Sequence, residues 1–130
     1  MSKKTTLAII GRGHWGQVYK RTIDKIDTIV LPEENIYGKN YKDAKNENIY
    51  TADGVIIAAS TSTHYEIASY LLKLGVKNLL IEKPLTQTHY EAIELQKLIK
   101  TIPNVKVLVG HTLLYDPGYK KMKEFARKKL

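Results

Sequence analysis

The chain has 130 residues, 43% of them hydrophobic, and a formal net charge of +8. That length fits a single domain, and the apolar share excludes a disordered chain. The lack of cysteine excludes a disulfide framework or thiolate metal site, no apolar run reaches the ~20 residues of a membrane span, and the Met-Ser-Lys-Lys-Thr-Thr start lacks the apolar region of a secretory signal, so a cytoplasmic location is expected.

In chain order, Thr5 to Ile10 reads as a first strand, running straight into Gly11-x-Gly13-x-x-Gly16. A helix follows, from His14 or Trp15 to Ile26, with Val18, Tyr19, Thr22, Ile23 and Ile26 forming its apolar stripe. Thr28 to Leu31 reads as a second strand, stopped by Pro32. Glu33 to Thr51 is polar and has no sustained period, so shortened or irregular structure is expected there. Gly54 to Ala59 is a continuous apolar run, as in a parallel strand buried on both faces. Thr63-His-Tyr-Glu66 reads as a capping box, opening a helix that ends at Gly75. Asn78 to Ile81 is the next strand. Thr88-His-Tyr-Glu91 opens a helix with the same four letters, lined by Ala92, Leu95, Ile99 and Ile102. Val105 to Gly110 is a further strand, and Asp116-Pro117 starts a terminal helix over residues 116–130.

Strands alternating with helices predict right-handed crossovers and an α/β fold, a Rossmann-like doubly wound parallel sheet in one domain. Ligands of such a sheet sit at the carboxyl ends of the strands. The glycine motif between a strand and a helix is the dinucleotide-binding fingerprint in its required context. Gly11 permits the tight turn, Gly13 lets a pyrophosphate approach the backbone, and Gly16 lets the helix pack close. The helix then aims free N–H groups and its positive dipole end at the phosphates.

Other strand ends carry further candidates. Glu82-Lys83-Pro84-Leu85 follows a central strand, so Lys83 points toward the crevice. There it would hold a substrate oxygen or transfer a proton, with Glu82 pairing it; an ordinary turn with a solvated salt bridge is the alternative. Ser60, Thr61 and the following hydroxyl residues suit contact with a cofactor ribose, or plain helix capping by Thr63. His64 reads equally as a ligand contact or a hydrogen-bonded structural residue. Glu33 or Glu34 falls near the distance at which an acid holds the adenosine ribose hydroxyls, which gives a slight preference for NAD over NADP. Arg12, inside the glycine loop, would instead attract a phosphate. The four histidines lie in separate elements, so no metal site is expected. The cluster Lys120, Lys121, Lys123, Arg127, Lys128 and Lys129 reads as a solvated helix face rather than a nucleic-acid patch.

These pieces resemble, in order, the nucleotide-binding domain of the glucose–fructose oxidoreductase, inositol dehydrogenase and rhizopine-catabolism (Gfo/Idh/MocA) family. They are Ile9-Ile-Gly-Arg-Gly-His-Trp-Gly16, Asp53-Gly-Val-Ile-Ile-Ala-Ala59, Ser62-Thr-His-Tyr-Glu-Ile-Ala68, Glu82-Lys-Pro-Leu85 and Val109-Gly-His-Thr-Leu-Leu-Tyr-Asp-Pro117. The resemblance implies an NAD- or NADP-dependent oxidoreductase acting on a ring hydroxyl of a sugar, inositol or sugar nucleotide. It implies that Gly11, Arg12, Gly13, His14, Trp15 and Gly16 lie along the pyrophosphate, that Ser60, Thr61, His64 and Glu82 serve the nicotinamide side, and that Lys83 is catalytic. Ser60 stands where the family usually has proline. The family's second α/β domain is absent from these residues, so its substrate wall is expected from a separate chain or a longer one, or its lack leaves an uncovered face prone to self-association. Three readings remain open: an enzyme domain completed elsewhere, a dinucleotide-binding module without turnover, and a ligand-free remnant.

Overall fold

A computed structural model describes residues 2–39, 41–42 and 47–128. Its strands are β1 (Thr5–Ile10), β2 (Ile29–Val30), β3 (Ile36–Tyr37), β4 (Gly54–Ile57), β5 (Asn78–Ile81) and β6 (Lys106–Val109). Its helices are α1 (His14–Ile23), α2 (Glu47–Thr51), α3 (His64–Lys73), α4 (His89–Thr101) and α5 (Pro117–Lys128). All strand pairings are parallel, in the order β2-β1-β4-β5-β6, with β3 also on β1.

The expected irregular stretch resolves into a broken edge. β2 pairs with Thr5 and Thr6 at the start of β1, and β3 pairs with Ile9 and Ile10 at its end. Ile9 and Ile10 also pair with β4, and a strand has only two edges. β2 and β3 therefore share the edge opposite β4. A short 3-10 turn at Glu33–Asn35 separates them, and Asn35 is held there by its side-chain N–H donating to the Leu7 carbonyl at 3.1 Å.

Alternation along the strands sorts the core into two layers. Ala8, Ile10, Val55, Ile57, Leu79 and Ile81 face α3 and α4, meeting Ile67, Ala68, Leu71, Leu72 and Leu95. Ile9, Ile56 and Ala58 face the other way, against Ile23 of α1 and Leu31. The second layer is the smaller. α5 packs on the turn Thr112–Tyr115, and Met122 and Phe125 are 66% and 60% exposed, as is Leu108 of β6 at 61%.

Two expectations are corrected. α1 stops at Ile23 rather than Ile26, with Asp24 donating its backbone N–H to Lys20. The capping box forms at Thr88 and not at Thr63. Thr88 has extended backbone (φ −125°, ψ 155°), which lets its hydroxyl accept from Glu91 N at 3.2 Å while the Glu91 carboxylate accepts from Thr88 N at 3.0 Å. Thr63 is already helical (φ −107°, ψ −7°), and its hydroxyl donates backward to the Ser60 carbonyl at 2.7 Å. An N-cap hydroxyl needs the extended conformation to reach the helix donors. Thr88→Ala should therefore destabilise the fold by about 1 kcal/mol and Thr63→Ala by clearly less, as read from urea unfolding midpoints.

Candidate functional site

The turn after β1 is set by contact rather than by taste for glycine. Gly11 has φ +132°, and a Cβ there would lie 2.3 Å from the Ala58 carbonyl oxygen at the end of β4. A Cβ on Gly16 would lie 2.0 Å from the Gly11 carbonyl oxygen, so α1 is pressed directly onto the turn. Gly13 differs: a Cβ there meets nothing within 4 Å. It opens onto the cleft and serves as N-cap of α1, where no side chain caps the helix and no acid lies in the first turn. The first intrahelical bond here runs from Gln17 N to Gly13 O at 3.1 Å. The N–H groups of the first turn are thus left without intrahelical acceptors, and they concentrate the positive end of the helix dipole.

A cleft of about 720 Å³ opens over this helix tip. Gly11, Arg12, Gly13, His14 and Trp15 line one wall, Ala58, Ala59, Ser60, Thr63, Glu66 and Ile67 another, and Gly38, Lys39, Tyr41 and Lys42 a third. Its size falls within the usual span of ligand pockets. Arg12 is fixed across the mouth by donating from its guanidinium to the Ile36 carbonyl at 2.7 Å. The His14 and Trp15 rings meet edge to face at 5.5 Å.

The remaining sequence candidates separate. Ser60 lines the cleft, whereas Gly16 lies beneath it and Thr61 is not part of the lining. His64 is 1% exposed, and its ring nitrogens lie 2.9 Å from the Pro84 carbonyl oxygen and 3.0 Å from that of Ala59. Of its two readings, the structural one describes this geometry: the ring ties the ends of β4 and β5 together and leaves no nitrogen facing the cleft. Glu33 stays outside the lining, with its carboxylate 2.9 Å from Lys20 Nζ.

Glu82 is corrected as a partner for the Lys83 amine. It is 5% exposed; one oxygen accepts from the Tyr19 hydroxyl at 2.5 Å and the other from the Lys83 backbone N–H at 3.2 Å. Among the described residues no ion pair joins it to Lys83 Nζ. Burial, and then the Glu82 carboxylate, push the Tyr19 phenol far above its ordinary pKa, so it remains a donor to that carboxylate. Gly110 makes room: a Cβ there would lie 2.7 Å from the Glu82 carboxylate. The Lys83 side chain is exposed on the turn after β5, and the Lys83–Pro84 peptide bond is cis.

Sequence reasoning did not single out Lys39, Tyr41, Lys42 or Glu66 as cleft residues. The first three lie in the poorly patterned stretch, and only the pairing of β3 with β1 brings them to the glycine turn. Tyr19 counted merely as part of an apolar stripe.

A sequence-family model described as an oxidoreductase family with an NAD-binding Rossmann fold matches residues 32–111. The chain belongs to the Gfo/Idh/MocA oxidoreductase family. No curated protein sequence matches it significantly. Among solved structures, it is similar to a myo-inositol 2-dehydrogenase from Lactobacillus plantarum, at 29% identity and a TM-score of 0.79, covering 97% of this chain and 42% of that one. A scyllo-inositol dehydrogenase from Lactobacillus casei, solved with bound NAD(H) and scyllo-inositol, superimposes at 18% identity and a TM-score of 0.80, over 97% of this chain and 42% of the other. A UDP-N-acetylglucosamine 3-dehydrogenase from Acidithiobacillus ferrooxidans does so at 22% identity and a TM-score of 0.74, over 93% and 43%. These last two likenesses show the fold. The chain spans less than half the length of each of these proteins. Among the described residues no helix is long and apolar enough to cross a membrane.

The buried carboxylate carries a prediction of its own. Tyr19→Phe removes the hydroxyl donor from Glu82 and should destabilise the fold by about 1–3 kcal/mol, measured by chemical denaturation. Tyr19→Phe combined with Glu82→Leu should recover part of that loss, because no buried carboxylate is then left underserved.

Proposed function

We propose that this chain is the cofactor-binding part of a nicotinamide-dependent oxidoreductase that acts on a ring hydroxyl of a cyclic polyol, sugar or sugar nucleotide. The observation that carries the reading is the uncapped N-terminus of α1 beside an open Gly13. A bare cradle faced by free backbone donors suits an anion, and in this strand–glycine turn–helix context a pyrophosphate. Membership of a family whose domain is NAD-binding supports it, as does the likeness to inositol and sugar-nucleotide dehydrogenases.

In this reading the backbone N–H groups of the first turn of α1 hold the pyrophosphate. His14 and Trp15 flank it, and Ser60 offers a hydroxyl on the β4 side toward the ribose and nicotinamide. The bound coenzyme supplies hydride acceptance or donation. Lys83, at the carboxyl end of β5, exchanges the hydroxyl proton that accompanies the hydride. Glu82 acts from below, holding the turn through the Lys83 backbone N–H rather than by pairing the amine. His64 keeps the β4 and β5 ends in register, and with them the two loops that face the coenzyme.

Gly13→Val separates folding from binding. It places methyl groups in the open space above the helix tip, so it should abolish saturable binding of NADH and NADPH while leaving circular dichroism unchanged and lowering stability by no more than about 1 kcal/mol, the cost of an apolar residue at an N-cap. Unaltered affinity would refute the placement of the pyrophosphate. Lys83→Ala should retain coenzyme affinity and lose turnover of myo-inositol, scyllo-inositol and UDP-N-acetylglucosamine, assayed by coenzyme absorbance. Coenzyme saturation with no turnover by the unaltered protein on that panel is expected both of a domain completed elsewhere and of a binding module; turnover restored by supplying the family's second domain selects the first, and its continued absence selects the second.

A further inference from the structure

The broken edge beside β1 changes which residues reach the adenosine ribose. In a dinucleotide fold the group that reads the ribose 2′ position comes from the carboxyl end of the strand flanking β1 on the side away from the nicotinamide. If β2 were that strand, Glu33 and Glu34 would be the readers. However, β2 flanks only the start of β1. The strand that reaches the carboxyl end is β3, where Ile10 pairs with Tyr37 and Gly11 N donates to the Tyr37 carbonyl at 2.9 Å. The reading position is therefore the segment just after Tyr37, and it begins Gly38-Lys39.

The charges gathered there are cationic. Lys39, Lys42 and Arg12 all line this end of the cleft. The single described carboxylate in the lining, Glu66, is engaged by Lys42. No described carboxylate pairs with Lys39. Arg12 uses one nitrogen on the Ile36 carbonyl, which aims the guanidinium along this edge and leaves several of its five N–H donors for a ligand. Glu33, the acid that would hold a free ribose diol, is turned away onto Lys20.

We propose that this end of the cleft is a 2′-phosphate site formed by Lys39 and Arg12, and that the chain selects NADP(H) over NAD(H). The inference rests on the coenzyme reading above. A ribose diol is matched by a carboxylate acceptor, whereas a phosphate dianion is matched by charge-assisted N–H donors. An NAD ribose placed here would meet Lys39 and Arg12 and, among the described residues of the lining, no carboxylate but Glu66, which Lys42 engages.

The test is a fluorescence titration of the whole chain with NADPH and with NADH, at low salt and again at about 0.5 M salt, where the Debye length shrinks to a few ångströms. NADPH is expected to bind at least about tenfold tighter at low salt, the scale of one charge-assisted hydrogen bond, with the gap narrowing at high salt. 2′,5′-ADP should displace the coenzyme at lower concentration than 5′-AMP, which lacks only the 2′-phosphate. Lys39→Glu, checked for folding by circular dichroism, should bring the two coenzymes within about twofold of each other, and Lys39→Arg should retain the preference. Equal or tighter binding of NADH by the unaltered chain overturns the 2′-phosphate site while leaving the coenzyme reading intact. A preference that survives Lys39→Glu unchanged overturns the assignment to Lys39. No saturable binding of either coenzyme overturns the coenzyme reading itself, and this inference with it.

Discussion

The backbone of Gly11 passes so close to the end of β4 that no side chain fits between them, and the arrangement of the cleft follows from that approach. With the turn pressed on Ala58, α1 must start directly above the sheet, and Gly16 must be bare for the helix to sit down on the turn. The outcome is a helix tip held rigidly at the carboxyl edge of a parallel sheet. Its orphan donors face outward and are not consumed by a cap. A parallel sheet sends every loop that follows a strand to this same edge, so one steric constraint at Gly11 sets the origin from which the other loops are placed.

Two buried polar side chains keep those loops in position. His64 bridges the carbonyls of Ala59 and Pro84, which follow β4 and β5. Glu82 joins the turn after β5 to Tyr19 on α1 and so links opposite ends of the cleft's framework. Both groups are nearly sealed from water, where an unsatisfied polar atom is costly; each Glu82 oxygen has a protein donor, and each His64 ring nitrogen lies within hydrogen-bond distance of a backbone carbonyl. They behave as braces whose value lies in orientation. Their partners are backbone groups or a residue distant in the chain, which explains why neither role could be inferred from neighbouring residues.

The two faces of the sheet are covered unequally. α3 and α4 seal one face with a large apolar layer, while Tyr19 and Ile23 of α1 with Leu31 cover the other. Leu108 of β6 and the apolar side chains of α5 remain open to solvent. The charge distribution is also uneven around the cleft. Cations gather on the β3 side, next to the first turn of α1, whereas the β4 side presents small hydroxyl and apolar groups. The two sides of the cleft thus present walls of different chemistry.

Much of this was legible in the sequence because it depends on short stretches of chain. The bounds of β1 and β5, the glycine turn and the stop at Gly75 each follow from residues within one turn or one strand, where periodicity and backbone freedom act directly; the capping box does not, since the same four residues form it at Thr88 and not at Thr63. The family signature is legible for the same reason, since it lies in the loops after the strands. Tertiary structure alone decided the rest. It converted Thr28 to Tyr37 into one edge made of two pieces, and this brought Lys39 into the lining of the cleft and left Glu33 outside. It also took His64 out of the cleft and turned Glu82 toward Tyr19. These outcomes depend on register and contacts between segments far apart in the chain, and such pairings are chosen by the packing of the whole sheet rather than by any local preference.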